Sequence, residues 1–197
     1  MRLANKVAIV TGAGSGIGRA SAIAPAREGA QVAVVEIQDA AGQETAECVR
    51  AKGGKAMYIR ADVSQPEDVK AMATRVVERL HSIDNLHNNA GIALRRPVAE
   101  QDEEGWNRCL EVNLKSVFLC CRFAIPFMQT KGGSIINTSS VAGIVRARNR
   151  AATAPRRAAL SSSRRIWPWI TPLQNSRQLR LPGLCANSLD GQPGARS

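Results

Sequence analysis

Thr11-Gly12-Ala13-Gly14-Ser15-Gly16-Ile17-Gly18 is the stretch of this chain whose residue types and spacing point most directly to chemistry. It follows a short apolar run, Val7-Ala8-Ile9-Val10, and leads into a helix-compatible segment. Glycines in that setting let the backbone turn tightly and approach a charged group. The free N–H groups and dipole of the following helix attract an anion such as a pyrophosphate. Glu36 ends a second apolar run, Val32-Ala33-Val34-Val35, 18 residues after Gly18. A carboxylate there accepts hydrogen bonds from an adenosine ribose diol and repels a 2′-phosphate, which favours NAD over NADP. The bland alternatives are a glycine turn without a ligand and a solvated glutamate at a strand end. His81 and His87 are the only histidines, so metal binding has no basis in the sequence.

These residues need a scaffold that brings strand ends together. The short apolar runs 7–10, 32–35, 57–59 and 134–136 are of the kind that parallel sheets bury on both faces. Helix-compatible segments near 16–28, 39–53, 65–80 and 107–130 alternate with them, and repeated βα units give an open doubly wound sheet. Ser64 and Glu67 make a capping-box pattern, Gly53-Gly54 makes a stop, and Pro25 requires the first helix to kink or end early. At 197 residues with 44% hydrophobic content the chain has material for one core. It shows no apolar run of membrane-spanning length and no signal-peptide region, so a cytoplasmic protein without a membrane partner is expected. The five cysteines include no CxxC pair and read as reduced packing residues.

The spacing TGxxxGxG, rather than GxGxxG, resembles that of the short-chain dehydrogenases/reductases, and further matches arrive in order. Ser15 stands where NADP-preferring members of that family often carry a basic residue, which agrees with Glu36 in favouring NAD. Asp62 and Val63, in Ala61-Asp62-Val63, resemble the family's adenine contact; an Asp capping the helix from about 65 is the alternative. Asn89, Ala90 and Gly91, after Asn88, resemble the NNAG signature, whose small residues admit the cofactor and whose Asn steadies neighbouring strands. His87 before it reads as a satisfied core or strand-end histidine. Asn113 resembles the active-site Asn that kinks a helix and holds a water of the proton relay. Ser140 matches the serine that polarises the substrate carbonyl, against an ordinary strand-end loop as the alternative. Gly12, Ser15, Gly16, Ile17 and Gly18 would form the cofactor loop. The resemblance spans about residues 6–143 and implies a Rossmann-like α/β sheet. It also implies hydride transfer between a secondary alcohol or ketone and nicotinamide.

The family's YxxxK motif should follow, but Thr153 and Arg157 occupy the Tyr and Lys positions. An aliphatic hydroxyl is far less acidic than a phenol, and a guanidinium fork does not replace a compact ammonium. Severely impaired turnover is therefore expected. Up to Gly143 the chain has 17 lysines and arginines against 15 acids; from Ile144 onward it has ten arginines, no lysine and one acid, Asp190. The expected organisation is an NAD-binding domain over 1–150 and a poorly ordered Arg/Ser/Pro-rich tail over 151–197, so that the doubly wound sheet is C-terminally incomplete. Such a composition is what reading a GC-rich gene in another frame produces, which makes a frameshift or displaced coding boundary the expectation. Two further readings are a non-catalytic dinucleotide-binding module and a basic tail for acidic partners. In the latter, Trp167 and Trp169 would stack on bases; a merely basic, disordered tail is the simpler reading, and nucleic-acid binding is not expected. Members of the family are often homo-oligomers, but one of the helices they use carries the altered YxxxK region, so no oligomeric state is carried over.

Overall fold

The computed structural model describes residues 1–94 and 96–139. Five parallel strands alternate with helices: β1 (Val7–Thr11), α1 (Gly16–Arg27), β2 (Gln31–Glu36), α2 (Asp39–Ala51), β3 (Lys55–Arg60), α3 (Pro66–Leu80), β4 (Asn85–Asn88), α4 (Glu103–Leu110), α5 (Ser116–Met128) and β5 (Ser134–Asn137). The sheet order is β3-β2-β1-β4-β5, so the direction of strand succession reverses between β1 and β4. All four strand pairings are parallel, with Ile9 opposite Ala33 on one side and Leu86 on the other. This is the doubly wound Rossmann-like sheet expected from the alternating pattern.

Burial on both faces explains the apolar composition of the inner strands. Every residue of β1 is buried. Val7, Ile9, Ala33 and Val35 face one core with Val69, Met72 and Val76 of α3 and Leu119, Cys120 and Ala124 of α5. Val10, Val32 and Val34 face the other with Ala22 and Ala26 of α1 and Ala46 and Val49 of α2. Successive residues of one strand thus serve opposite layers. Burial pushes the Cys120 thiol up to about 12 and also raises that of Cys121, which keeps both as neutral packing groups.

Three local expectations are refined. Pro25 lies in the last turn of α1, which ends two residues later, and its carbonyl accepts from the N–H groups of Glu28 and Ala30 at 3.0 Å each. The capping box at Ser64 and Glu67 does not form. The N-cap of α3 is Gln65, Pro66 opens the helix, and the Ser64 hydroxyl donates instead to Asp62 Oδ1 at 2.7 Å. Proline is favoured at the first helical position, which makes Gln65 the cap, and the Ser64 N–H that the box would have used donates to Asp62 Oδ1 as well. The single helix expected near 107–130 starts earlier, at Glu103 with Asp102 as its cap, and is interrupted by a π-helical segment, Glu111–Lys115.

Asp84 fastens the opposite edge of the sheet. Its carboxylate accepts from Lys6 Nζ at 2.8 Å and from the Val7 N–H at 2.9 Å, while its backbone bonds Val7 O and Ser134 N. One residue therefore joins β1, β4 and β5 at their starts. Burial alone would raise its pKa, but the bonds from Lys6 and the Val7 N–H outweigh burial and hold it below the usual carboxylate value. Asp84→Ala should lower unfolding stability by about 1–3 kcal/mol at pH 7, because it strands the buried Val7 N–H. Since the folded pKa is depressed, the carboxylate's contribution is complete above about pH 4 and disappears as pH falls through the lower folded value. Urea titrations of both proteins from pH 7 to pH 3 should show the gap between them narrowing on the acid side.

Candidate active site

The glycine loop, the ends of β2 and β3 and the segment after β4 converge on one cleft of about 410 Å³ at the C-terminal edge of the sheet, beside the reversal between β1 and β4. That is the position and size expected of a ligand crevice in an open α/β sheet. Gly12, Ser15, Gly16, Ile17, Gly18, Glu36, Asp62, Val63, Asn89, Ala90 and Gly91 all line it. The N-terminus of α1 opens onto this cleft. Ser15 is its N-cap but makes no side-chain cap, and the first turn contains no acidic residue, so the helix provides none of its own anionic partners there. Gly16 has φ +50°, and a Cβ built on it would meet no protein atom within 4 Å, which leaves the space above the helix start open.

Other glycines are required by packing. A Cβ on Gly18 would lie 2.0 Å from the carbonyl oxygen of Gly12, and one on Gly12 would lie 2.7 Å from Ala90 Cα. Gly14 is gripped on both sides of its peptide units. Its N–H donates to Glu36 Oε2 at 3.0 Å, and its carbonyl accepts from Arg19 Nη2 at 2.7 Å. Arg19 is itself held by Glu44 through two hydrogen bonds, at 3.0 and 2.7 Å. Glu36 Oε1 also accepts from the N–H of Ile37 at 2.8 Å. The carboxylate at the end of β2 therefore braces the loop as well as facing the cleft.

Asn89 locks the loop to β4. Its Nδ2 donates to Thr11 O at 3.2 Å and Gly12 O at 3.1 Å, while Thr11 Oγ1 accepts from the N–H groups of Asn89 and Ala90. Next to it, His87 Nε2 pairs with Thr138 Oγ1 at 2.8 Å, and burial lowers its pKa, so it is a satisfied strand histidine. Asp62 is not a helix cap. Its Oδ1 accepts from both the N–H and the hydroxyl of Ser64, at 2.9 and 2.7 Å, and Oδ2 pairs with Arg108 Nη2 at 2.9 Å. Burial works against its charge, yet the Ser64 and Arg108 bonds prevail and hold its pKa below the ordinary value. Asn113 is fully buried in the π-helical segment, where Nδ2 donates to Ile92 O and Oδ1 accepts from Ile92 N, each at 2.9 Å. It ties the helix to the segment that follows Gly91. Ser140, Thr153 and Arg157 lie outside the described residues, as do Trp167, Trp169 and the rest of the basic tail.

The short chain dehydrogenase family profile matches residues 6–160. The chain belongs to the short-chain dehydrogenase/reductase family. The match reaches beyond Gly143, where the recognisable motifs end, and includes positions 153 and 157. The chain is 43% identical over 146 residues to a 2,5-dichloro-2,5-cyclohexadiene-1,4-diol dehydrogenase of Sphingobium indicum, covering 73% of this chain and 57% of that protein. It is 40% identical over 144 residues to a 3beta-hydroxysteroid dehydrogenase of Mediterraneibacter gnavus, covering 73% and 52%. A cyclohexanol dehydrogenase of an Acinetobacter species is 39% identical over 147 residues, covering 74% and 59%. The chain thus spans little more than half the length of these relatives. A crystal structure of a short-chain dehydrogenase/reductase from Burkholderia xenovorans superposes with TM-score 0.80 at 36% identity, covering 84% of this chain and 68% of that one.

Within this short-chain dehydrogenase/reductase, the residues missed by sequence reasoning are Arg108 and Val112, which reach the cleft from the helical run carrying Asn113, and Ile37, Gln38 and Ile92 on its rim. No spacing signal marks Arg108, because its partner is 46 residues away. Tyr58, the only tyrosine, donates to Asp39 Oδ1 at 2.8 Å, and burial together with Asp39 pushes its pKa up to about 12. It sits on β3 and packs against Gly42 of α2. Among the described residues no helix is long and apolar enough to cross a membrane.

The two kinds of glycine should separate experimentally. Gly18→Ala should cost about 2 kcal/mol or more, because its Cβ meets backbone that cannot yield. Gly16→Ala should cost about 1 kcal/mol from the left-handed backbone alone. Chemical denaturation of both variants checks the order, and equal losses would contradict the packing argument.

Proposed function

We propose that this chain is an NAD-binding member of its family, built for hydride transfer from a secondary alcohol, and that in the form of this sequence it binds the dinucleotide but turns over at a small fraction of the family's rate. The observation that carries the reading is the helix N-terminus, without side-chain cap or acid, opening into a cleft that ends at the Glu36 carboxylate. The vacant space above Gly16 and the donors at the start of α1 suit a pyrophosphate. Glu36 suits a ribose diol and opposes an added phosphate, and Ser15 adds no positive charge to offset that repulsion. Asp62 and Val63 suit the adenine, and Asn89, Ala90 and Gly91 border the path toward the nicotinamide end.

When bound, the dinucleotide supplies a hydride acceptor at its nicotinamide ring. The chain's own part is orientation and proton handling. Oxidation of a carbinol needs its C–H electron pair to leave as hydride and its hydroxyl proton to pass to a base. Ser140 would hold the substrate oxygen, and Asn113 would support the proton relay from its place in the π-helical segment. The base itself is what the sequence lacks. Thr153 offers an alcohol in place of a phenol, and Arg157 offers a broad guanidinium in place of an ammonium that would lower the phenol's pKa. Loss of a positioned acid/base removes roughly 10²–10⁴-fold in rate. The cyclohexanol and cyclohexadiene-diol dehydrogenases among the relatives favour ring secondary alcohols as the substrate class.

NADH fluorescence should change on titration with the protein, and NADPH should bind at least about tenfold more weakly because of like-charge repulsion at Glu36. Glu36→Gln should narrow that gap. No fluorescence change at millimolar NADH would end the binding claim. With cyclohexanol and related secondary alcohols, NAD reduction should fall roughly 10²–10⁴-fold below that of the relatives; rates equal to theirs would overturn the impairment.

A further inference from the structure

We propose that Arg108 is a positioning residue for the adenosine end of the dinucleotide, acting by closing Asp62 and Ser64 into a fixed ring at the end of β3. This rests on the dinucleotide reading of the cleft. Arg108 Nη2 donates to Asp62 Oδ2 at 2.9 Å, and its Nη1 donates to Ser64 Oγ at 2.5 Å. Ser64 Oγ donates in turn to Asp62 Oδ1 at 2.7 Å, and the Ser64 N–H donates to the same oxygen at 2.9 Å. A carboxylate offers roughly four acceptor positions. Both positions on Oδ1 are taken from within the loop, and one on Oδ2 is taken by Arg108. One acceptor position on Oδ2 has no further partner among the described residues, and Asp62 lines the cleft, where an amino group could take it.

Arg108 also lines the cleft itself, so its guanidinium forms part of the wall next to Asp62. Glu111 Oε2 stands 3.8 Å from Nη1 and pairs with the guanidinium as well. The ring links two distant parts of the site. Arg108 is in the last turn of α4, and the π-helical segment that begins at Glu111 carries Asn113. The helix that reaches toward the reacting end is therefore pinned at the adenine end by this ion pair. Ser64 is 0% exposed, so it cannot touch a ligand, and its hydroxyl acts through its partners Asp62, Arg108 and Gln65.

The test compares ligands that contain adenosine with one that does not, using the full chain. Calorimetric titration with AMP, NADH and nicotinamide mononucleotide should show Arg108→Met weakening AMP and NADH by at least about fivefold, the effect of releasing one ordered side chain, with the mononucleotide unchanged. Arg108→Lys should recover part of the loss. Ser64→Ala should shift AMP in the same direction as Arg108→Met. In an Asp62→Asn background, Arg108→Met should have little further effect, because the group it positions is gone. AMP binding to Arg108→Met at wild-type strength or tighter would overturn the proposal, as would a parallel loss for the mononucleotide. Failure of the unaltered protein to bind either NADH or AMP would instead remove the dinucleotide reading and this inference with it. If Arg108→Met does not fold, the Lys and Ser64→Ala variants decide: AMP affinity at wild-type strength in both would overturn it.

Discussion

Thr11 and Asn89 cross the point where the strand order reverses, and the rest of the site depends on that junction. The Thr11 hydroxyl accepts two N–H groups from the segment after β4, and the Asn89 amide returns two bonds to the carbonyls of Thr11 and Gly12. These bonds hold the ends of β1 and β4 together where the strand order reverses and the cleft opens. They also explain the glycine requirements. Gly12 is pressed against Ala90, and Gly18 is pressed against the Gly12 carbonyl, so the loop can fold back onto β4 only if neither carries a side chain. Each neutral hydrogen bond contributes about 1 kcal/mol, but their joint effect is to fix where the α1 N-terminus points.

The second constraint is charge. Glu36 lines the cleft, and the same carboxylate braces Gly14 and Ile37 through their N–H groups. Arg19 grips the carbonyl side of Gly14 and is neutralised by Glu44, so its positive charge is committed to the loop. At the far wall Arg108 does the same for Asp62. The cleft is therefore bordered by two carboxylates whose orientations are set by arginines or backbone donors. This preorganisation lowers the ordering that a ligand would have to impose.

The helical run across the cleft makes the third part. A π-helical segment inserts where Asn113 reaches back to the backbone of Ile92, taking both its N–H and its carbonyl. Segments of this kind often occur at functional sites because they break the regular ladder and re-aim side chains. Here the interruption separates the turn that carries Arg108 from the turn that packs Val117, Cys120 and Ala124 into the core. Packing of α5 thus sets the position of α4, and through it the wall of the cleft.

The alternation of apolar runs with helical segments determined the parallel sheet, because burial on both faces demands continuous apolar strands and leaves a local imprint. The places of the glycine loop and Glu36 were legible for a related reason, since they sit at strand ends and a helix start that the same pattern marks, whereas Asn89 and Asn113 were picked out by the family resemblance. Thr153 and Arg157 were equally visible, as the residues at the positions where the resemblance puts a tyrosine and a lysine. Tertiary structure alone decided how those groups are held. The Ser64–Glu67 capping pattern gave way to a bond from Ser64 to Asp62, because Arg108 from a helix 44 residues later shares that hydroxyl. Neither the bracing of Gly14 by Glu36 and Arg19 nor the pairing of Asp62 with Arg108 has a local signature. Each depends on side chains distant in sequence that meet only when the two layers close on the sheet, and hydrogen bonds of that kind follow three-dimensional distance rather than spacing along the chain.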